Sequence, residues 1–564
     1  MASEKSMEKG IPQNSSKRRK GGFITLPFII ANEALEKVPS YALVPTMMLY
    51  LKSNYHMTIA AGHNLINLWQ AFSNFAPILG AFFADSYMGR FVTIGLGSIS
   101  SFLGVTILWL TALLPQARPP PCDPLTQSCK SATAGQLGIL ACALFFKSMG
   151  AGGIRPCSMP FGADQMSNKS EKSLESYFSW YYAAASLGGS LGLTVVIYIL
   201  QIYGWKVGYG VCAFLMLLAA LAFYIASPLY VKLKASTSLF TGFVQVVVVS
   251  YRKRNLPFPS QKSGYHHGED SKIIFPSEKL TFMNKACIIT NTEQEIGPDG
   301  LALDPWRLCT VQKVEELKAL LKVLPIWSTG IVMAIAGSQH SFPVLQASTM
   351  NRQVFGGFQI PAASLTVIVY GIAVVWVVLY ERVIIPLASK IKGKQVYISV
   401  NLRMGLGLFL SVIALGFTAM VENARLGKII QEGHVKDPSA IVNISVMWLL
   451  PQYIVMGVAE ALSTLGQFEF YHREFPKTMS SIGNSLFFLS LALAHLLSSA
   501  LFNIVNQTTS PSWVADNLNE ARFDNYYWLL AGLSLVNVFY YIICISSYGS
   551  TSDVMDEGYV SEEE

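Results

Sequence analysis

Residues 28–45, FIIANEALEKVPSYALVP, set three charges into an otherwise apolar run. Glu33, Glu36 and Lys37 stand at i, i+3 and i+4, so a helix carries all three on one face. A glutamate four residues ahead of a lysine is the favourable order for an ion pair, and a carboxylate beside a lysine has a protonation state that its surroundings can move. The chemistry on offer is reversible proton binding. In a helix that starts near Ile24, about 1.5 Å of rise per residue puts Glu33 roughly 14 Å and Lys37 roughly 20 Å along the axis, near the centre of a ~30 Å hydrocarbon layer. Charges at that depth are costly and usually mark an ion or substrate path; the competing reading is an internal salt bridge that only holds helices together.

Other apolar runs carry charges that could face the same space. In FFKSMGAGGIRPCSMPFGADQ (145–165), Arg155 follows a run of small residues and precedes Pro156, and Lys147 lies two turns earlier. The glycines allow close helix approach, and the proline frees backbone groups that a cavity can use. Glu460 lies deep in PQYIVMGVAEALSTLGQFEF (451–470), so each half of the chain brings an acidic residue to the centre. His340, in AGSQHSFPVLQ, either faces an anion or is a satisfied polar residue near the outer interface.

The elements that must position these groups are membrane helices. The chain has 564 residues, 52% hydrophobic and 13% charged, which is too apolar and charge-poor for a soluble domain. Twelve runs are read as spans, at about 24–51, 62–84, 91–114, 133–159, 176–201, 206–227, 316–338, 360–380, 402–421, 444–464, 479–505 and 523–546. Placing Lys17–Lys20, YRKRN (251–255) and Lys390, Lys392 and Lys394 in the cytoplasm satisfies the positive-inside rule, although Lys52, Arg118, Lys130, Arg425 and Lys428 then fall outside. The expected layout is a cytoplasmic tail (1–23), a six-helix bundle (24–227), a cytoplasmic linker (228–315), a second six-helix bundle (316–546) and an acidic cytoplasmic tail (547–564). The first twenty residues are too polar for a signal peptide, so the first span is the expected insertion signal. Within the linker, SLFTGFVQVVVVSYRKR (238–254) reads either as an amphipathic segment on the cytoplasmic interface or as a plain loop strand.

Composition also excludes functions. A net charge of +7 on so apolar a chain belongs to cytoplasmic loops rather than to nucleic-acid binding. There is no GxxxxGK[ST] for an ATP-driven pump, no HExxH or clustered metal spacing, no cofactor motif and no catalytic constellation, so no enzyme is expected. Of the eight cysteines, Cys122 and Cys129 share the outer loop RPPPCDPLTQSCK, where either a disulfide closing the loop or two free thiols fits. Asn443 and Asn506 begin N-x-[ST] sequons in predicted outer loops.

Between spans two and three, GAFFADSYMGRF (80–91) makes a short charged turn with Gly80, Asp85, Gly89 and Arg90. A turn of this kind can hold the end of a neighbouring helix in one conformation and release it in another. It resembles the signature loop of the major facilitator superfamily. Together with EALEK, GGIRPC, FGADQ, FQIPAASL and GQFEF, the chain resembles the plant nitrate transporter 1/peptide transporter family, a branch of the proton-coupled oligopeptide transporters, from residue 21 to about 530.

That resemblance implies an all-α membrane protein with the major facilitator fold, twelve transmembrane helices in two six-helix bundles that alternate access around a central site. It implies proton coupling through Glu33, Glu36 and Lys37, the lysine standing where arginine is commoner, substrate binding by Arg155 and Glu460, and gating by Gly80, Asp85, Gly89 and Arg90. Pro39, one turn after the coupling motif, and Thr46, where Asn is expected, are departures. The implied function is symport of protons with nitrate or a small anion. The alternatives are a plant hormone of gibberellin or abscisic acid type, another organic acid or a di- or tripeptide, and then a receptor that has lost transport. Partners are protons, a small-molecule substrate and membrane lipid, with the plasma membrane as the expected location. Thr93, three residues after Arg90, has a spacing that a cytoplasmic kinase could accept; packing at a helix start is the competing reading.

Overall fold

The computed structural model describes residues 21–122, 129–166, 171–233, 239–259, 264–267, 276–298, 300–393, 398–438, 440–475 and 479–548. Lys17–Lys20, Lys394, most of the N-terminal tail, nearly all of the acidic tail and parts of the linker lie outside the described residues. Helices dominate. In the first half these are α1 (Leu26–Tyr55), α2 (Ile59–Phe83), α3 (Arg90–Leu113), α4 (Ala134–Ile154), α5 (Ser158–Asp164), α6 (Glu171–Leu191) and α7 (Ile197–Ile225). The linker contributes α8 (Leu239–Arg252). The second half holds α9 (Val311–Gly337), α10 (Ser341–Ser348), α11 (Val367–Leu379), α12 (Val400–Glu432), α13 (Leu450–Glu474), α14 (Ser480–Thr508) and α15 (Phe523–Tyr548).

Local chemistry sets the helix starts. Thr58, Thr310 and Ser399 each accept a backbone N–H with the side-chain oxygen, and Thr133 and Gln136 form a reciprocal capping box at α4. Among the described residues, nine helical stretches are long and apolar enough to cross a membrane. One of them, Ser176–Leu229, runs 54 residues and breaks at Gly204, whose φ of 75° only glycine adopts readily. That break separates the expected fifth and sixth spans. The charged α1 and the polar-rich α2, 30 and 25 residues long, are not among the nine. Each of the twelve expected ranges nevertheless overlaps helix, although 444–464 begins in the strand Val442–Ser445 and 133–159 crosses the turn between α4 and α5. α11 has no buried residue, and Val374, Val375 and Val378 stand exposed on it, as they must if lipid covers that face.

The helices of each half pack chiefly on one another, and α2 against α14 joins the halves. The hydrogen bonds described across this join lie toward one end, the outer one on the sequence orientation. Asp516 accepts from the Ile59 N–H at 2.8 Å, Asn64 bonds Asn503 at 2.8 Å and accepts from Ser499 at 2.6 Å, and His495 Nδ1 meets Asn67 Oδ1 at 2.8 Å. His63, bonded to Asn67, stacks on Phe342 and Phe502 with ring centroids 4.7 and 4.6 Å away.

Outside the helices, Met350–Asn351 and Val442–Ser445 pair as two short parallel strands, with Met350 opposite Val442. A disulfide joins Cys122 to Cys129. His56 Nδ1 lies 3.4 Å from Cys122 Sγ, but both sulfurs are spent in the disulfide and offer no thiolate to a metal. The linker segment 238–254 is neither a loop nor a strand over its described part. It folds as α8, which buries Val246 and Val249 against Met283, Cys287, Val311 and Val314 at the inner end of α9.

Glycine permits the closest helix contact. A Cβ added at Gly80 on α2 would stand 1.9 Å from the carbonyl oxygen of Gly152 on α4, a backbone atom that cannot swing aside. Gly80→Ala is expected to cost roughly 1–3 kcal/mol through forced separation of α2 and α4. A thermal melt of the detergent-solubilised protein reads this directly, and an unchanged midpoint would mean that the two helices part freely.

Candidate functional site

The α1 face divides its charges between two partners. Lys37 Nζ lies 2.9 Å from Glu33 Oε1, the i,i+4 pair expected from spacing alone. Glu36 does not share that lysine. It is bound by Lys147 of α4, whose Nζ donates to Glu36 Oε1 at 2.7 Å, to Ser40 Oγ at 2.7 Å and to Ser101 Oγ at 2.9 Å. Ser40 in turn donates to Glu36 Oε1 at 2.5 Å. All three ammonium hydrogens are therefore used, while Glu36 Oε2 is buried without a partner among the described residues.

The surrounding sequence makes this reach possible. A Cβ on Gly104 of α3 would sit 2.5 Å from the Lys147 backbone nitrogen, so only a glycine lets α3 lie against α4 at that point. α1 stays one continuous helix through Pro39 and Pro45, so Pro39 leaves Ser40 in helical register with Glu36. Thr46 bonds its own helix, donating to the Ala42 carbonyl at 2.7 Å.

Arg155 caps the C-terminal end of α4 half-buried, near enough for its charge to act on Glu36, Lys37 and Lys147. It has no ion pair among the described residues. A half-buried guanidinium with no carboxylate partner is suited to a planar anion, which its fork of donors matches.

Glu460 and His340 occur together elsewhere, lining a cavity of about 70 Å³ within the second half. His340 lies between α9 and α10, and Glu460 sits on α13. Tyr370, on the same cavity wall, meets Tyr41 of α1 edge-on with ring centroids 5.4 Å apart. The cavity thus abuts the α1 side through an aromatic pair. Arg155 is not among its lining residues.

The turn after α2 acts within the first half. Asp85 sits in the π-helical turn Ala84–Met88, ended by Gly89 at φ 76°. Arg90 donates from Nη1 to both oxygens of Asp164 at 2.8 Å, and its Nε lies 3.8 Å from Asp85. The FGADQ segment supplies this partner, and its Gln165 clasps Val231 by accepting from the backbone N–H at 2.8 Å and donating to the carbonyl at 3.0 Å. Thr93 is buried and donates to the Gly89 carbonyl at 3.0 Å. In this conformation the hydroxyl is packed and bonded at the start of α3, as the competing reading has it.

The pairing of Lys147 with Glu36, and the parts of Ser40 and Ser101 in it, are what the spacing argument missed. The available signal was a single lysine within the apolar α4, which needs a buried counter-charge from some other helix. Sequence arithmetic along one helix cannot name that helix.

Comparisons agree with this geometry. The POT family profile matches residues 91–529. The chain is 52% identical over 569 residues to Protein NRT1/PTR FAMILY 1.2 of Arabidopsis thaliana, covering 98% of this chain and 94% of that relative. It is 50% identical to Protein NRT1/PTR FAMILY 1.1 of the same plant, over 95% of this chain and 93% of the relative. Among solved structures, an auto-inhibited POT family peptide transporter superposes with a TM-score of 0.70 at 17% identity, over 94% of this chain and 98% of that one. A POT family transporter in complex with 5-aminolevulinic acid superposes with a TM-score of 0.60 at 12% identity, over 94% of this chain and 99% of that one. These likenesses establish the major facilitator fold in its POT form.

Proposed function

The chain belongs to the POT family, in its plant NRT1/PTR branch, a family of membrane transporters rather than enzymes, and on that premise we propose that it is a proton-coupled symporter of nitrate or another small anion. The carrying observation is the buried pair of Glu36 and Lys147, with Glu36 Oε2 buried without a partner and Arg155 without an ion pair among the described residues. A proton arriving from the acidic outside binds at the α1 carboxylates and loosens their lysines, while the anion settles on Arg155. With both bound, the bundles at 24–227 and 316–546 rock past each other and the site opens inward. The linker at 228–315 ties them, and the Arg90–Asp164 clasp is made and broken on the inner side. We place this carrier in the plasma membrane.

The hydrogen bonds across the outer join support an inward-facing resting state, with Glu36 protected from the outside. A second reading, a carrier of hormone-like or other organic acids or of small peptides, is favoured by the Glu460 cavity, which a bare nitrate would not need. A receptor without transport has no use for so intact a set of buried charges.

Uptake of labelled nitrate in a heterologous membrane at acidic and neutral external pH tests the proposal. Acid should stimulate uptake, and Arg155→Ala should lower it at least tenfold, since a charge-assisted contact to an anion contributes about 1.5–3 kcal/mol. Equal uptake by the variant would remove Arg155 from the anion site.

A further inference from the structure

The linker helix α8 has a second apolar face besides the one it packs on α9. Val246 and Val249 are buried, while Val244, Val247 and Tyr251, at i, i+3 and i+7, are 52%, 53% and 68% exposed. This stripe runs into a cluster of cations. Arg252 donates to the Trp306 carbonyl at 3.2 Å, and the Arg254 guanidinium lies 4.4 Å from the centre of the Tyr251 ring. Lys285 donates to the Arg254 carbonyl and stands over the Phe258 ring. These contacts hold the three cations in place and neutralise none of them. Lys253, beside them, is paired with Glu295 at 3.0 Å, whereas Arg252, Arg254 and Lys285 have no ion pair among the described residues.

Chain geometry supplies an occupant. Phe243 of α8 and Tyr548, the last residue of α15, pack on the same cluster of Phe470, Tyr471 and Phe475. From Phe243 to Arg252 the helix advances about 14 Å. Residues 549–564 continue from Tyr548, and at about 3.4 Å per extended residue Asp553 already reaches roughly 17 Å. The tail carries Asp553, Asp556, Glu557, Glu562, Glu563 and Glu564, has no lysine or arginine, and sets Val554, Met555 and Val560 among the acids. Acids interleaved with apolar side chains complement exposed valines that end in three cations. Single exposed ion pairs are weak, but a short tether keeps the tail at an effective concentration on the order of millimolar, so several such contacts together suffice. We infer that the acidic tail, residues 549–564, docks on α8, with its apolar side chains on the exposed stripe and its carboxylates on Arg252, Arg254 and Lys285.

Zero-length carbodiimide cross-linking of the purified full-length protein, read by peptide mass spectrometry, tests this, because a tail carboxylate in contact with Lys285 condenses with its amine. The product of Lys285 with the tail should exceed those of the exposed Lys390 and Lys392, ahead of α12, by at least about fivefold. It should fade in about 1 M salt, which screens exposed charges beyond about 3 Å. Arg252→Gln with Arg254→Gln should lower it at least about fivefold, while the product of Lys253 with Glu295, an internal gauge of the folded linker, stays unchanged. Val247→Asp, a like charge on the stripe, should lower it as well. No product at Lys285, a product that survives both salt and the arginine variant, or equal linking to Lys390 and Lys392 overturns the docking. Two further results overturn it in favour of another occupant. Linking found only between isotopically distinct copies makes the surface a contact between two chains, and loss of the product in nanodiscs when phosphatidylserine is added gives the surface to an anionic membrane.

Discussion

Lys147→Ala is expected to abolish acid-driven uptake, by about a hundredfold or more, while a Glu36→Gln, Lys147→Met double variant recovers folding but not pH dependence. The lysine makes three hydrogen bonds inside the membrane, to Glu36, Ser40 and Ser101, and its removal leaves a buried carboxylate with no counter-charge. Breaking one side of a buried pair costs about 3–5 kcal/mol, because the remaining charge stays desolvated. The protein escapes that cost by keeping Glu36 protonated, and a carboxyl that never releases its proton cannot couple proton flow to transport. In the double variant neither charge remains, so the packing penalty falls away while the exchangeable proton is still missing. Surface expression measured beside nitrate uptake at two external pH values separates the two effects. Acid stimulation of normal size in Lys147→Ala would mean that Glu33 and Lys37 carry the coupling without it.

How much of this was legible in the sequence depends on the range of the contact. The Glu33–Lys37 pair follows from a four-residue spacing, and its 2.9 Å separation is a local consequence of helix geometry. The Glu36–Lys147 pair spans 111 positions, and which helix faces α1 is decided by the glycine contacts of α4, whose meaning appears only in three dimensions. Helix ranges were readable because apolar length is a one-dimensional property. Side-chain destinations near helix ends are not: the sequence leaves open whether His340 faces a ligand or is satisfied, and only the fold puts it on a cavity wall beside Glu460. The linker segment reads either as an amphipathic interfacial segment or as a plain loop strand, and over its described part it is a helix packed against α9.

Arg425 shows the same limit for charge rules, and it carries a large expected effect on stability. Counted as an outer-loop residue, it violates the positive-inside pattern. In the structure it is 0% exposed within α12, which extends to Glu432, beyond the expected end of that span. Its guanidinium donates from Nε and Nη2 to the two oxygens of Glu422 at 2.9 and 2.7 Å. It also donates to Asn519 Oδ1 at 2.7 Å and the Leu518 carbonyl at 2.8 Å. The charge is therefore neutralised locally and exerts little pull on topology; its work is to bind the end of α12 to the segment before α15. Arg425→Met should cost about 3–5 kcal/mol, whereas Arg425→Met with Glu422→Leu should recover most of it, since a buried pair replaced by apolar groups of similar size is often neutral. Thermal melts of the two variants decide between a structural pair and a functional one. If the double variant melts like wild type but loses uptake, the pair has a role in transport; if it melts like wild type and transports normally, Arg425 serves only to fasten the outer end, close to where Asp516 seals the halves.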